Sequence, residues 1–519
     1  GGNDRAAPRA APMKRGFVIA ALLALSLAIA LARFRFIHDP PEWDLAMYSL
    51  IGGEMVHGAK LYADFWDMKP PGIFAGFMVA EWLTRSHAWS AYLVSVTSAI
   101  ATLLGVYFAA ARFGKTAGLW GAGFWGAVSL HPALYSYLPN TEAPINALVA
   151  CGFAIWLWRA DSIPGAILAG AMFALASLFK QVSVAPALAI AAAAIIVPPR
   201  DTTRRRALGM SVLMLAMVPL AWLLVGGYFA ATSRGDLFFQ TNFVYPRYYG
   251  GNVARNLLEG LRPRRLLPPS LRAVMPLVLL SMTGLLCGLL RSLRAPSRQT
   301  SFRDASLIAL FAGTYIAVAA PGKFFGHYYQ LWMVPFCIAA AWGAQVFCEL
   351  PNPRVRRLTS LIAPLALAGL VIEQTHWFTF SPRQRVSQSH GVGLFVNTLD
   401  VGEEIRGMLR ADETMFLWCT EPQVYVLAGK RPVAAVLWKK HATEGPLAEW
   451  LTRRTLADLE SHPPDLLVTW AADTDPTDHP IDRWIATRYV ELPGNLNRTP
   501  MKLHARLGSG LELRMRVAN

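Results

Sequence analysis

From residue 16 to residue 374 the chain is dominated by apolar stretches about as long as a bilayer is thick, separated by short polar turns. A helix rises 1.5 Å per residue, so about 20 apolar residues cross a ~30 Å hydrocarbon core while satisfying their own backbone groups. Composition agrees with that reading. Of 519 residues, 54% are hydrophobic and only 16% charged, where a soluble domain carries about a quarter charged. The chain reads as a mainly α, polytopic membrane protein.

Lys and Arg orient such a chain, because they collect in cytoplasmic loops and beside anionic lipid. The net charge of +16 takes its meaning from this. The arginines are scattered between apolar spans, which argues against a nucleic-acid partner. Spans are expected at 16–33, 88–111, 116–135, 143–158, 163–179, 182–197, 208–231, 273–290, 305–320, 330–348 and 358–374, about 11 in all. That assignment puts Lys14, Arg112, Arg159, Arg204, Arg291 and Arg354 inside. The apolar piece 71–83 gives only ~20 Å of helix and reads as interfacial or re-entrant. One loop resists the assignment. Segment 232–272 falls outside, yet carries Arg247, Arg255, Arg262, Arg264, Arg265 and Arg272. Those side chains either bind anionic groups or snorkel beside lipid phosphates.

Residues 1–13 read as a disordered leader before a retained first anchor, since no small-residue cleavage site is clear. The membrane domain is expected over 14–379, with an outer loop at 38–72, and a small soluble extracytoplasmic α/β domain over 380–519. In that C-terminal part the apolar runs 415–418, 433–437 and 466–470 read as strands, with helices near 394–410 and 446–460. No glycine-rich nucleotide fingerprint occurs. The five cysteines show neither metal spacing nor a disulfide framework and read as small buried hydrophobes.

Chemistry is expected in the first outer loop. Residues 39–72 hold six acidic residues (Asp39, Glu42, Asp44, Glu54, Asp64 and Asp67) against Lys60 and Lys69, in a protein that is otherwise basic. Pro40 and Pro41 set up a helix start, with Glu42 and Asp44 in the first turn, where backbone N–H groups favour carboxylates. Asp44 shares a face with Tyr48, and Met47 with Ile51 and Met55, so the helix reads as amphipathic and interfacial, stopping at Gly58. Lys69 stands before Pro70 and Pro71, which present one cation at the loop's end. Asp64 and Asp67 read as turn caps.

Four outer segments converge by topology: this loop, Asn140-Thr141-Glu142, Lys180-Gln181, and Gly322-Lys323-Phe324-Phe325-Gly326-His327-Tyr328-Tyr329. On Asp44 with Tyr48, Tyr62-Ala63-Asp64, Lys69-Pro70-Pro71-Gly72, Thr141-Glu142 and His327-Tyr328-Tyr329, residues 14–375 resemble the C-type (GT-C) integral-membrane glycosyltransferases. The likeness is to the bacterial branch of protein O-mannosyltransferases and the lipid A aminoarabinose transferase. The resemblance implies transfer of a sugar from a polyprenyl-phosphate donor to an acceptor hydroxyl at the periplasmic face of a bacterial inner membrane. The acceptor would be an envelope glycan, a glycolipid or a protein.

By that resemblance Asp44 is the general base, with Glu42 as the alternative. Lys69 is the first choice for the donor phosphate, ahead of Lys180, Arg247, Lys323 and His327. Glu42, Tyr48, Tyr62, Glu142 and Tyr328 would position the acceptor or the loop. The family often has adjacent acidic residues at the first motif; here Leu45 follows Asp44, so transfer without metal or cofactor is expected. A lipid phosphate leaves as a stable anion, so one base and nearby cations suffice, and a single displacement inverts the anomeric centre. Ordinary structural readings stay open for several of these residues: an interfacial aromatic belt for His327 with its tyrosines, snorkelling for Lys180, and a helix cap for Thr141 and Glu142. A transporter or flippase of a lipid-linked saccharide is the alternative function. Such proteins show two-fold repeats and charges at mid-membrane, whereas this chain masses its polar residues in one outer loop.

Overall fold

The structure is a computed structural model describing residues 14–294, 297–390, 394–470, 479–492 and 500–518. The expected leader, 1–13, lies outside the described residues. The bundle contains α1 (Arg15–Phe34), α2 (Trp43–Val56), α3 (Pro71–Thr84), α4 (His87–Ala110), α5 (Ala117–Val128), α6 (Glu142–Arg159) and α7 (Ile163–Ser177). It continues with α8 (Ala185–Ile196), α9 (Arg204–Ala231), α10 (Val253–Gly260), α11 (Met275–Arg294), α12 (Arg298–Ala319), α13 (Met333–Cys348) and α14 (Ile362–Gln374).

Every expected span falls on a helix, but not every helix is a full span. Among the described residues seven helical stretches are long and apolar enough to cross a membrane: Arg15–Phe34, His87–Phe113, Arg204–Ala231, Met275–Arg294, Thr300–Ala319, Gly326–Cys348 and Pro353–Thr379. Ile163–Ser177 and Gln181–Ile196 are apolar but shorter. The stretch expected at 116–135 is helical over only 12 residues before turning through a short 3-10 element at Pro132–Leu134. The chain is a multi-pass membrane protein. α1 and α9 turn leucines outward, Leu23 and Leu31 among them and Leu223 at 73% exposure, as lipid-facing helices do. Inside, small residues let helices approach: a Cβ on Gly284 of α11 would come within 2.6 Å of Gly343 Cα on α13.

α2 corrects one expectation. It runs from Trp43 with Glu42 as its N-cap and ends before Gly58, whose φ of +93° suits glycine alone. It is not an interfacial amphipathic helix, because Leu45 through Gly52 are all buried, on every face. Its periodicity misleads because α3 covers one side so closely that a Cβ on Gly52 would meet Phe77 Cβ at 2.8 Å. The C-terminal region covers the other.

That region carries a four-stranded sheet of order β1-β2-β4-β3, with β1 (Met415–Trp418), β2 (Leu466–Trp470), β3 (Tyr489–Glu491) and β4 (Met501–Arg506). β1 and β2 are parallel (Phe416 opposite Leu467); β4 is antiparallel to both β2 and β3. Helices α15 (Leu394–Met408) and α16 (Ala448–Ser461) pack beside it. Segment 433–437 is not a strand of this sheet. It turns to the first loop, where Trp66 N donates to Ala435 O at 3.0 Å, while Ala435 N donates to Asp458 Oδ2. The consequence is a shared interior: Tyr48, Trp66 and Phe74 belong to the same apolar cluster as Phe416, Trp418 and Leu437.

Candidate active site

The 57–70 turn is fixed by its own hydrogen bonds. Lys60 N donates to Asp64 Oδ2 at 2.8 Å, which makes Asp64 the turn cap expected of it. Tyr62 adopts φ +70° and is fully buried. Its hydroxyl donates to Lys69 O at 2.8 Å and accepts from Asn242 Nδ2 at 3.4 Å. Tyr62 therefore sets the backbone from which the Lys69 side chain projects. Pro71, first residue of α3, then starts a helix without needing a donor.

Lys69 Nζ lies 3.5 Å from Asp44 Oδ1 and 5.6 Å from the centroid of the Tyr48 ring. Burial works against the ammonium, but Asp44, Tyr48 and Asp67 outweigh it and hold Lys69 well above the ordinary lysine value. Tyr48 itself is buried, and its hydroxyl has no hydrogen-bond partner among the described residues. Glu42, at the start of the same helix, accepts from Asn140 Nδ2 at 3.0 Å.

A second charge pair stands beside the first. Lys180 Nζ donates to Glu142 Oε1 at 2.9 Å and sits 3.2 Å above the Tyr328 ring. Glu142 is fully buried, and Thr141 Oγ1 donates to its other oxygen and accepts from no free helix N–H. The α6 start is thus not built as a side-chain cap.

These groups wall a cavity of about 330 Å³. Glu42, Asp44 and Lys69 line one side, and Lys180, His327 and Tyr328 another. Thr420, Pro422 and Trp438 close it from the C-terminal region, and Trp43 Nε1 is tied to that region through Glu421 Oε2 at 2.5 Å. Tyr249 contributes a further wall, with Lys323 Nζ 4.4 Å over its ring. Of the residues singled out in the sequence, Arg247 is exposed and does not line the cavity. Lys323 is exposed and reaches it only through Tyr249, while Tyr48, Tyr62 and Glu142 support residues that do line it.

Sequence reasoning missed Tyr249, Trp438, Thr420 and Pro422. It also missed the burial of Asp67 and His441 behind Lys69. None of them belongs to a motif, and the long separation between residues 69 and 438 hides the contact. The tyrosine run at 245–249 in an arginine-rich loop was the one available signal.

A second cavity of about 620 Å³ adjoins the first. Pro40, Pro41 and Leu45 line it where Glu42 and Asp44 line the other; Tyr137 and Pro139 correspond in the same way to Tyr135 and Thr141. Two chain segments thus form a partition between the cavities. The larger one runs from Tyr92 and Ser95 on α4 up to Arg383, Glu403 and Arg406. Among the described residues no three His, Cys, Asp or Glu side chains gather as a metal-ligating group.

No protein-family model matches the chain, and no curated protein matches it in sequence. Solved structures do. The chain is similar to ArnT from Cupriavidus metallidurans bound to undecaprenyl phosphate, at 15% identity over 96% of this chain and 99% of that one, with a TM-score of 0.57. It is also similar to the archaeal oligosaccharyltransferase AglB from Archaeoglobus fulgidus in complex with an inhibitory peptide and a dolichol-phosphate, at 14% identity over 89% and 70%, with a TM-score of 0.54. At these identities the likeness is one of fold, and the fold is the GT-C fold.

Proposed function

We propose that this chain transfers a sugar from a polyprenyl-phosphate donor to an acceptor hydroxyl at the periplasmic face of a bacterial inner membrane. The reading rests on one observation above others: a carboxylate and an ammonium, Asp44 and Lys69, 3.5 Å apart in a cavity at one end of an apolar bundle. The fold neighbours support it, because those structures hold undecaprenyl phosphate and dolichol-phosphate.

The chemistry follows from that pair. With no donor bound, Lys69 neutralises Asp44. A donor phosphate competes for the ammonium and draws it from the carboxylate, leaving Asp44 free to accept the proton of an incoming hydroxyl. As the anomeric C–O bond breaks, the charge on the departing phosphate grows, and Lys69, with His327 from the other side of the cavity, stabilises that charge more than the ground state. The hydroxyl attacks opposite the leaving phosphate, so the anomeric centre inverts. Lys180 is already committed to Glu142 and acts chiefly by positioning that wall.

Purified protein supplied with a polyprenyl-phosphate sugar and an extract of envelope glycolipids and glycans tests the reading. A new glycosidic product is the expected result. Movement of the donor between leaflets with no such product would instead assign the chain to transport.

A further inference from the structure

α10, Val253–Gly260, sorts its residues by side. Asn256, Leu257 and Gly260 face inward. Asn256 Nδ2 donates to Gly250 O at 2.7 Å and to Ala320 O at 2.9 Å, and Tyr315 donates its hydroxyl to Leu257 O. A Cβ on Gly260 would come within 2.9 Å of Ala319 Cβ. Ala319 is the last residue of a membrane-crossing helix, so α10 lies against the end of a span, where hydrocarbon gives way to headgroups.

The other side is uncovered. Leu258 and Leu261, three apart on one stripe, are 70% and 56% exposed. Arg255 and Arg262, seven apart, run beside them, and Arg264 follows; all three are exposed. Glu259 binds Arg262 and Arg264 at 2.8 and 2.9 Å with Arg265 at 3.7 Å, one carboxylate among several guanidiniums. The surface stays cationic and apolar together. A soluble anion would leave the leucines in water, and a zwitterionic lipid would leave the excess positive charge unanswered.

We propose that residues 253–266 are a docking surface for anionic phospholipid headgroups. Leu258 and Leu261 enter the acyl boundary, and Arg255, Arg262 and Arg264 reach up to the lipid phosphates. This accounts for the loop whose arginines oppose the span assignment: they are held at a membrane surface by lipid rather than by the cytoplasm. The surface begins close to the active-site wall, since Tyr249 precedes it by four residues and Asn256 is bonded to Gly250.

The test places a bimane label at Leu258→Cys in full-length protein carrying Cys348→Ser, which removes the exposed cysteine, in vesicles with brominated lipids. Bromines high on the acyl chains are expected to quench the label. Brominated phosphatidylglycerol should quench several-fold better than brominated phosphatidylcholine, and Arg255→Gln, Arg262→Gln and Arg264→Gln together should abolish that preference while phosphatidylcholine still quenches. Three outcomes would overturn the proposal. The label could answer to aqueous iodide and not to bromines; the two lipids could quench equally before the arginines are changed; or one equivalent of polyprenyl phosphate could erase the preference, assigning the surface to the donor.

Discussion

His441 Nε2 stands 3.9 Å from Asp67 Oδ1, and the two side chains are 2% and 0% exposed. One comes from the C-terminal region and the other from the turn that delivers Lys69. Among the described residues neither ring nitrogen of His441 has a hydrogen-bond partner, nor does Asp67 Oδ2, and Asp67 Oδ1 accepts only from its neighbour Met68 N. Trp66 and Trp438 enclose the imidazole edge-on, with centroids at 4.9 Å. An acid and a base are thus buried together behind the candidate active site without satisfying one another.

Opposite pH dependences are expected from this pair. Burial lifts Asp67 to about 6, so between its unfolded value near 4 and pH 6 the folded chain holds a proton that the unfolded chain has lost. The stability this contributes is present below about pH 4 and gone above pH 6. Above pH 6 a buried carboxylate costs about 3 kcal/mol by linkage. Asp67→Asn should therefore raise the melting temperature at pH 8 and make little difference at pH 4. His441, lowered to about 3 first by burial and then by Lys69, runs the other way. It stays neutral in the fold while the unfolded chain takes a proton below pH 6.5, so His441→Phe should stabilise at pH 4–5 and not at pH 8. Thermal melts in detergent across pH 4–8 read both effects, and curves parallel to wild type would refute the burial of these two groups.

Two of the ion pairs between the first loop and the C-terminal region are of unequal worth. Arg385 donates to Asp39 from both guanidinium arms, Nε at 2.7 Å, with side-chain exposures of 1% and 8%. Arg454 meets Asp64 at 3.4 Å with both side chains 37% exposed. Arg385→Ala strands a buried carboxylate and should destabilise by about 3–5 kcal/mol, whereas Arg454→Ala should stay within about 1 kcal/mol. Comparable losses in chemical denaturation would mean that burial does not rank these contacts.

How much of this was legible in the sequence depends on the range of the interaction that decides each feature. The start of α2 at Pro41 and Glu42, its end before Gly58, and the exit through Pro70 and Pro71 are local and were readable. So was the GT-C fold, carried by motifs spread through the bundle. The environment of α2 was not, because a 3.6-residue pattern shows which side chains are apolar but not that α3 and the C-terminal region cover both faces. Segment 433–437 has the composition of a strand, yet a loop from residue 66 takes its backbone groups. His441 and Trp438 carry no spacing signal at all, and Tyr249 only that of its tyrosine run; only the folded chain brings them within reach of Lys69.

Glu142 and Lys180 form a buried ion pair, and each should be far more costly to lose alone than together. Glu142→Gln leaves an ammonium over Tyr328 with no carboxylate, and Lys180→Met leaves a buried carboxylate without its ammonium. Each single change should destabilise by about 3–5 kcal/mol, and the double variant should recover a large part of that. A double-mutant cycle in thermal or chemical unfolding gives the coupling. Additive losses would indicate that the two groups act independently.

Asp44 and Lys69 carry separable expectations, because one would move a proton and the other would meet a phosphate. Asp44→Asn keeps the size of the side chain and removes its basicity, so turnover should fall by about 10²–10⁴-fold, the usual worth of a positioned base. Donor affinity should hold or improve, since Lys69 is released from its carboxylate partner. Lys69→Met should weaken donor binding as well as turnover, and Lys69→Arg should restore binding better than turnover, because a guanidinium keeps the charge but not the point geometry. Binding is read with the polyprenyl phosphate alone and turnover with the sugar-bearing donor, so the two effects separate. Near-normal turnover in Asp44→Asn would exclude it as the base and shift the assignment to Glu42, the other carboxylate lining the same wall.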